Sequence, residues 1–305
     1  MHTDFYFESK SGIRIHACKW MPSGEPKGIV QIVHGIADYA ERYDLFASYL
    51  TEHGFLVVAE DHMGHGGSVC PEVPMGCFHG GWMDVIADTY RLLKDTMAEY
   101  PGVPYVLFGH SMGSFMTRTI LAKYPDSGIS AAVICGTAWL PGALVAAGIE
   151  MCALSCKLRG EDKPNQMIYN MVFGSYNKKV EHPRTPSDWL SRDDRIVDAY
   201  EADPLCGFVP SAGMLRDMMT GIRFNQKNAS LEAMRKDLPV YFIAGGDDPV
   251  GAYGDGVRKA VQQFKKHGMQ NVSMKIYPLC RHEILNEINK EEVFEDTLNW
   301  LETVV

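Results

Sequence analysis

Hydrophobic and polar positions alternate along the first part of the chain in a way that predicts a mostly parallel β-sheet with helices on its faces. Short apolar or β-branched runs, typical of strands, are separated by longer runs with helical periodicity. Gly, Pro or Asp residues lie beside the helical runs. The predicted strands are 13–20, 28–34, 55–59, 105–108 and 131–135, and the predicted helices are 42–53, 84–100 and 113–124.

The alternation stops in the middle of the chain and resumes near its end. From about 138 to 233 the pattern has mixed helical periodicity, several prolines and a charged patch. Strands are again predicted at 239–244 and 272–277, and helices at 257–267 and 284–301. We therefore predict one α/β domain in two halves, 1–137 and 234–305, with an inserted, largely helical cap at 138–233.

The strongest chemical signal is a serine between two glycines. Ser111 is the centre of a Gly-x-Ser-x-Gly motif that follows a predicted strand and precedes a predicted helix. This is the setting of a nucleophile elbow, in which a tight turn exposes the serine hydroxyl above the sheet. The two flanking glycines allow neighbouring chain to pass closely. Ser111 is therefore the candidate nucleophile.

A serine hydroxyl is a poor nucleophile near neutral pH, so this hypothesis also needs a histidine base and a carboxylate. Asp247 and Asp248 follow the strand predicted at 239–244, and His282 follows the next predicted strand. The carboxyl ends of parallel strands meet at one edge of a sheet. We expect Ser111, one of the two aspartates and His282 to converge there.

Acyl transfer also needs two N–H donors for the oxyanion that forms during the reaction. One is expected from the residue after the nucleophile, Met112, and the second from the loop after an earlier strand. That strand ends in His34-Gly35, which assigns the second donor to the backbone N–H of Ile36.

Composition excludes several other classes of function. The chain has 29 Lys and Arg against 38 Asp and Glu, a formal charge of −9, which repels nucleic acid and anionic lipid surfaces. Its eight scattered cysteines predict reduced, mostly buried thiols, and the first residues carry no secretory pattern, so we expect a cytoplasmic protein. His62 and His65 form half of a metal-site spacing without a third ligand, so no metal is expected.

The apolar segment 139–156 contains Pro, Gly and Glu, which favours a cap helix over a membrane span. Leu144, Ala147, Met151 and Leu154 fall on one face of that helix. Two interpretations remain open: the face packs on the core, or Leu144 and Met151 line the pocket for an acyl chain. At most transient membrane contact through the cap is expected.

Four ordered motifs together resemble the monoacylglycerol lipase and lysophospholipase branch of the α/β-hydrolases, the serine aminopeptidase-like group. The motifs are His34-Gly35-Ile36-Ala37 with Glu41-Arg42-Tyr43, Asp61-His62-Met63-Gly64-His65-Gly66, Gly109-His110-Ser111-Met112-Gly113, and Arg281-His282-Glu283. The resemblance implies a Ser111, Asp248 and His282 triad and no cofactor. It favours Asp248 over Asp247 because the family's acid stands three positions after the loop glycine, here Gly245.

Two residues depart from the pattern of these proteins: Ala37 and Ser114 each stand where glycine is common. Ser114 is expected inside the helix, so it does not compete with Ser111 as nucleophile. The resemblance implies a small-molecule acyl ester as substrate, a monoacylglycerol first and a lysophospholipid second. The alternatives are an aminopeptidase-like serine peptidase, with Glu150, Glu161 or Asp162 binding the free amine, and a catalytically silent binding protein. The sequence does not define the oligomeric state.

Overall fold

A computed structural model describes all residues, 1–305, and contains one eight-stranded sheet. Every strand from β3 to β7 is buried along its whole length, as expected where helices cover both faces of a parallel sheet. The strands are β1 (His2–Glu8), β2 (Arg14–Trp20), β3 (Gly28–Val33), β4 (Phe55–Glu60), β5 (Tyr105–His110), β6 (Ala131–Cys135), β7 (Val240–Gly245) and β8 (Val272–Tyr277).

Ten α-helices accompany the sheet, and five of them lie in the chain between β6 and β7. The helices are α1 (Asp44–Glu52), α2 (Trp82–Glu99), α3 (Met112–Lys123), α4 (Gly142–Arg159), α5 (Gln166–Phe173), α6 (Asp194–Ala202), α7 (Ala212–Asn225), α8 (Asn228–Ala233), α9 (Asp255–Lys266) and α10 (Lys290–Leu301). Short 3₁₀ turns occur at Ala40–Tyr43, Gly66–Ser68, Tyr176–Lys179 and Ile284–Asn286.

The strand order is β1-β2-β4-β3-β5-β6-β7-β8. The pairs β1–β2 and β2–β4 are antiparallel, and all pairs from β4 through β3 to β8 are parallel. The carboxyl ends of β3, β5, β7 and β8 therefore meet at one edge, which is where a parallel sheet forms ligand sites. The predicted mostly parallel sheet flanked by helices is confirmed.

Alternate side chains of each strand enter two separate cores, because successive residues of a strand point to opposite faces. On one face, residues such as Ile29 and Leu107 pack with α2, α3 and α9. On the other face, residues such as Val30 and Phe108 pack with α1 and α10. Both layers are largely apolar, and the buried Gln31 and Glu60 of β3 and β4 are hydrogen-bonded to each other, so the sheet is a rigid platform for the loops at its edge.

Most predicted elements differ from the observed ones by one or two residues at their ends. β1 is an exception, because no strand was predicted before residue 13. It is an exposed edge strand whose Phe5 and Phe7 are only partly buried, so its apolar signal is short. The predicted terminal helix at 284–301 is also broken, into the 3₁₀ turn at Ile284–Asn286 and α10.

The segment predicted as a cap contains α4 to α8 and no strand of the sheet. The expected apolar face of α4 is wrong, however. Leu144 and Leu154 are both 58% exposed, and Ala147 is exposed as well. The buried side of α4 instead carries Val145, Gly148, Ile149, Cys152, Ser155 and Cys156. This helix is apolar nearly all round, so spacing alone did not determine which side faces the protein.

The eight cysteines are all free, and seven of them are buried, as predicted. None of the helices combines the length and the apolarity that a bilayer-spanning segment requires.

Candidate active site

Ser111 lies at a sharp turn between the end of β5 and the start of α3. Its backbone has φ 52° and ψ −117°, a conformation that L-residues rarely adopt and that is typical of strained functional turns. A Cβ atom on Gly113 would overlap the carbonyl oxygen of Val33, and one on Gly109 would overlap that of Gly113. Both glycines are therefore required by close packing, and the turn presents Ser111 at the carboxyl edge of the sheet.

His282 and Asp248 lie on the loops after β8 and β7. Nδ1 of His282 is 3.0 Å from Oδ2 of Asp248, and both side chains are buried. The other oxygen of Asp248 accepts a hydrogen bond from the backbone N–H of Val250 at 2.8 Å. Asp247, in contrast, is exposed. The geometry thus places Asp248, and not its neighbour, against the imidazole.

The second ring nitrogen of His282, Nε2, has no hydrogen-bond partner in the protein. Ser111 and His282 line the same cavity. Burial lowers the pKa of His282, but the adjacent Asp248 carboxylate more than offsets burial, so the net shift is upward from the ordinary 6.5. The imidazole is therefore a stronger base than its burial alone would allow.

The loop after β3, which carries Ile36, passes close to Ser111. A Cβ atom on Gly35 would lie 3.2 Å from the Cβ of Ser111, a tighter contact than most Cβ atoms make, so the loop lies directly against the serine. The backbone N–H groups of Ile36 and Met112 donate no hydrogen bond within the protein, and both residues line the cavity. Two free donors therefore lie beside the serine.

Ala37, where glycine is common in similar proteins, has a φ of 55°. The left-handed region costs a residue with a Cβ about 1–2 kcal/mol. This departure therefore places local strain in the loop between β3 and the 3₁₀ turn at Ala40–Tyr43, the candidate oxyanion loop.

A buried charged network lies behind the loops that carry these groups. Arg42 donates to both oxygens of Glu283, at 2.8 and 2.7 Å, and to Asp38 at 2.9 Å. Asp38 also accepts from the backbone N–H of Gly35 at 3.3 Å and from the hydroxyl of Tyr43 at 2.8 Å. The network ties the oxyanion loop to the loop that carries His282.

The pKa values of these carboxyl groups follow from the network. Burial opposes ionisation of Asp38 and Glu283, but the guanidinium of Arg42 holds the pKa of each below its ordinary range. Arg42 and Glu283 belong to motifs found in the sequence, but no role was predicted for either residue. Both are charged residues beside expected site residues, in segments expected to be buried. That combination is the signal that could have identified them as functional residues.

The histidines of the first and second motifs, His34, His62 and His65, hydrogen-bond to backbone groups. Nδ1 of His34 lies 2.7 Å from the carbonyl of Gly35, and Nε2 of His34 accepts from the N–H of His62 at 3.0 Å. His65 packs beside them, with Nδ1 3.0 Å from the carbonyl of Met63. Burial is the main cause that lowers the pKa of His34, to about 4. These rings hold turns together.

A largely apolar cavity opens above Ser111. Of the 26 residues that line it, 18 are hydrophobic, and its volume is about 90 Å³. Segments between β6 and β7 supply its outer wall, which includes Tyr169, Phe173, Tyr176, Trp189, Phe208, Met218 and Met219. Leu144 and Met151, the expected pocket residues, are not part of this wall, because α4 turns its other side toward the protein.

Comparisons with known proteins agree with this architecture. Residues 24–289 match the family described as serine aminopeptidase, S33. A monoacylglycerol lipase of Mycolicibacterium smegmatis is 30% identical over 303 residues, covering 97% of this chain and 95% of that protein. A monoglyceride lipase of Mus musculus is 31% identical over 279 residues, covering 88% of this chain and 84% of that one.

Among solved structures, a highly thermostable carboxyl esterase from Bacillus coagulans, in complex with glycerol, is similar over nearly the whole chain. The TM-score is 0.92 at 30% identity, and the match covers 99% of this chain and 98% of the esterase.

The sheet, the serine at the turn after β5 and the helices on both faces define an α/β-hydrolase, as the sequence predicted. Within that class the chain belongs to the serine aminopeptidase S33 family, and it resembles monoacylglycerol lipases. It is a serine hydrolase that cleaves esters.

Proposed function

We propose that this enzyme hydrolyses carboxylic esters of a single acyl chain through an acyl-enzyme on Ser111, with monoacylglycerols as the leading substrates and lysophospholipids second. The observation that carries the proposal is the apolar cavity that ends at Ser111 and His282. An acyl chain buried there gains about 0.8 kcal/mol per methylene. The similarity to monoacylglycerol lipases over nearly the whole chain supports the same substrate class.

In the proposed cycle, Ser111 attacks the ester carbonyl while Nε2 of His282 takes the hydroxyl proton. The oxyanion of the tetrahedral intermediate accepts hydrogen bonds from the N–H groups of Ile36 and Met112. The intermediate collapses as His282 returns the proton to the leaving alcohol. Water then attacks the acyl-enzyme with His282 again as base, which releases the fatty acid and restores Ser111. Asp248 orients the imidazole and stabilises its charged form.

A second cavity provides a place for the polar part of such a substrate. It has a volume of about 430 Å³ and shares Tyr169, Phe173, Trp189, Tyr200 and Gly207 with the apolar cavity. Its remaining walls are more polar and include Gln166, Asn170, Asn177, Ser187 and Glu201. The proposal assigns the acyl chain to the first cavity and the head group to the second.

The peptidase alternative lacks support from the carboxylates considered for it. Glu150, Glu161 and Asp162 are exposed and do not line the cavity, and Glu161 pairs with Arg216 at 2.7 Å. The two acidic residues that do line the cavity, Asp38 and Glu283, are already neutralised by Arg42. A free amine therefore finds no unpaired carboxylate in the apolar cavity; in the second cavity the only carboxylate is that of Glu201, which is exposed. A cytoplasmic location remains a prediction from the sequence.

The test is fluorophosphonate labelling of the wild type, Ser111→Ala and Ser114→Ala. Ser114 is the matched control because its hydroxyl is buried in α3 and bonds to the carbonyl of Ser111. We expect labelling to be lost only in Ser111→Ala, with turnover of a monoacylglycerol reduced about a millionfold. Labelling that persists in folded Ser111→Ala would overturn the assignment of the nucleophile.

Hydrolysis of a monoacylglycerol series, a lysophospholipid series and aminoacyl anilides by the wild type would separate the substrate classes. We expect the highest kcat/KM for a monoacylglycerol, with an optimum in acyl chain length. A higher kcat/KM for the anilides would replace the lipase proposal with the peptidase alternative.

A further inference from the structure

Four side chains with metal-binding chemistry meet at the antiparallel edge of the sheet, apart from the active site. His2 and Asp4 alternate on β1, Cys18 lies opposite Asp4 on β2, and Glu41 comes from the 3₁₀ turn at Ala40–Tyr43. Each offers one ligand atom, and these atoms all lie within 4.8 Å of one another. Nitrogen, thiolate and carboxylate ligands together are the set that Zn²⁺ prefers.

The distances fit a tetrahedral ion after small side-chain adjustments. Ligands 2.0–2.3 Å from a zinc ion lie roughly 3.3–3.8 Å from one another. Oδ1 of Asp4 is already 3.7 Å from Nε2 of His2 and 3.5 Å from Sγ of Cys18. His2, Asp4 and Glu41 are exposed, so their side chains can reorient, whereas Cys18 is fully buried and fixed.

No Lys or Arg side chain neutralises the carboxylates of this group. No Lys or Arg nitrogen lies within 4.0 Å of Asp4, whose ion-pair partners are both histidines, and Glu41 has no ion-pair partner. One carboxylate paired only with histidines and one without an ion-pair partner therefore lie beside the buried thiol of Cys18. Bound Zn²⁺ would compensate both charges and stabilise the thiolate.

A second histidine supports the group from behind. Nδ1 of His16 lies 2.8 Å from Oδ2 of Asp61, a buried carboxylate also held by the N–H groups of Ala40 and Gly67. Nε2 of His16 lies 3.4 Å from Oδ1 of Asp4. A carboxylate that binds a metal is usually itself held by a hydrogen-bonding neighbour, and His16 is placed to hold Asp4 in this way.

We propose that His2, Asp4, Cys18 and Glu41 bind a structural Zn²⁺ ion that fastens the β1–β2 edge to the turn after the oxyanion loop. Glu41 precedes Arg42, whose side chain holds Asp38 and Glu283. The ion would therefore stabilise the strand edge and the network behind the active site together. The spacing of these four residues along the chain gives no sign of the site, because they come from three separate segments.

The test uses untagged, chelator-treated full-length protein titrated with ZnCl₂ and with CoCl₂. We expect one equivalent of zinc to bind and saturating zinc to raise the Tm by about 5 °C. Cobalt in a tetrahedral thiolate site produces a sulfur-to-metal absorption band. That band should disappear in Cys18→Ser and persist in Cys70→Ser, because Cys70 lies outside the group.

His2→Ala and Asp4→Asn test the ligands without risk to the fold, since both side chains are exposed on an edge strand. Each should weaken zinc binding at least tenfold, while His53→Ala, an exposed histidine on the far end of α1, should leave it unchanged. The proposal is overturned if the wild type binds no zinc, or if Cys18→Ser, His2→Ala and Asp4→Asn bind it as the wild type does. Neither result bears on Ser111.

Discussion

The guanidinium of Arg42 and the carboxylate of Glu283 form a bidentate pair, although 241 positions separate them in the chain. Arg42 follows the oxyanion loop, and Glu283 follows the candidate base His282. The pair therefore fixes the distance between two loops that come from opposite ends of the sequence. Both side chains are almost fully buried, at 12% and 6% exposure, so the ion pair is shielded from water.

Glu283→Gln is expected to lower the free energy of unfolding by about 3–5 kcal/mol, because it leaves a buried guanidinium partly unpaired. Chemical denaturation measures the change. Asp95→Asn is the matched control, since the Arg91–Asp95 pair is exposed on both sides and should contribute less than about 1 kcal/mol. Equal effects of the two substitutions would contradict this account.

The contribution of Glu283 should also depend on pH. Arg42 holds the pKa of this carboxyl below its ordinary 4.5, so the folded state binds its proton less readily than the unfolded state does. The stability it provides is complete above about pH 5 and is lost as pH falls through the folded pKa. The difference in unfolding free energy between wild type and Glu283→Gln should therefore shrink on acidification. A difference in unfolding free energy that does not change with pH would contradict the lowered pKa of Glu283.

The pH–rate profile should have an acidic limb set by His282. The imidazole acts as base only when neutral, and its pKa is raised above 6.5. We therefore expect kcat/KM to rise with pH, about tenfold per unit on the acidic side, with a midpoint above 6.5. A midpoint below 6.5 in the wild type would show that burial outweighs the carboxylate.

Asp248→Asn should reduce kcat by roughly 10⁴, because the amide no longer stabilises the charged imidazole or selects its tautomer. The acidic limb should also shift to lower pH in this variant, since the largest charge that opposes the effect of burial on the pKa of His282 is then removed. Asp247→Asn is the control: its side chain is exposed one position away, and steady-state kinetics should not change. A loss of kcat in Asp247→Asn but not in Asp248→Asn would assign the role of orienting His282 to Asp247.

Substitution of Met218 should change the acyl chain length that the enzyme prefers. Ligand cavities usually measure roughly 300–1,000 Å³, whereas the apolar cavity measures about 90 Å³, so its flexible methionines must yield to a long chain. Met218→Ala should shift the optimum of kcat/KM toward longer esters. Leu144→Ala, on the exposed side of α4, should leave the optimum in place. If both variants shift it, α4 moves during binding.

Ala37→Gly should stabilise the protein by about 1 kcal/mol, since it relieves the left-handed strain of an alanine with φ 55°. Ala146→Gly, at an exposed position of α4, should instead destabilise it by a similar amount, because glycine is a poor helix former. Thermal unfolding compares the two. A loss of stability in Ala37→Gly would show that the loop carries no strain.

Much of the fold could be predicted because strands buried on both faces and amphipathic helices carry strong, regular signals. The positions of Ser111, Asp248 and His282 at the carboxyl edge follow from the same regularity, since each lies on the turn or loop that follows a strand. Local pattern therefore placed these residues, whereas their catalytic roles remain proposals.

Other features depend on contacts between distant segments and leave no local pattern. The pairing of Arg42 with Glu283 depends on how two loops pack, and the side of α4 that is buried depends on packing against α7. Leu144 was misplaced for this reason. β1 was missed because an edge strand is half exposed and shows only a short alternation.

The chain leaves the sheet at the carboxyl end of β6 and returns at the amino end of β7, its immediate neighbour. The strands that precede Ser111, Asp248 and His282 lie outside this inserted segment. Segments of different length and composition can therefore be exchanged between these two points without altering strand order. A chimaera that keeps the sheet and receives the 138–233 segment of a related esterase should acquire new substrate selectivity. The new segment must also reproduce the hydrogen bonds by which the backbone of Trp189 and Leu190 holds His282 and Glu283.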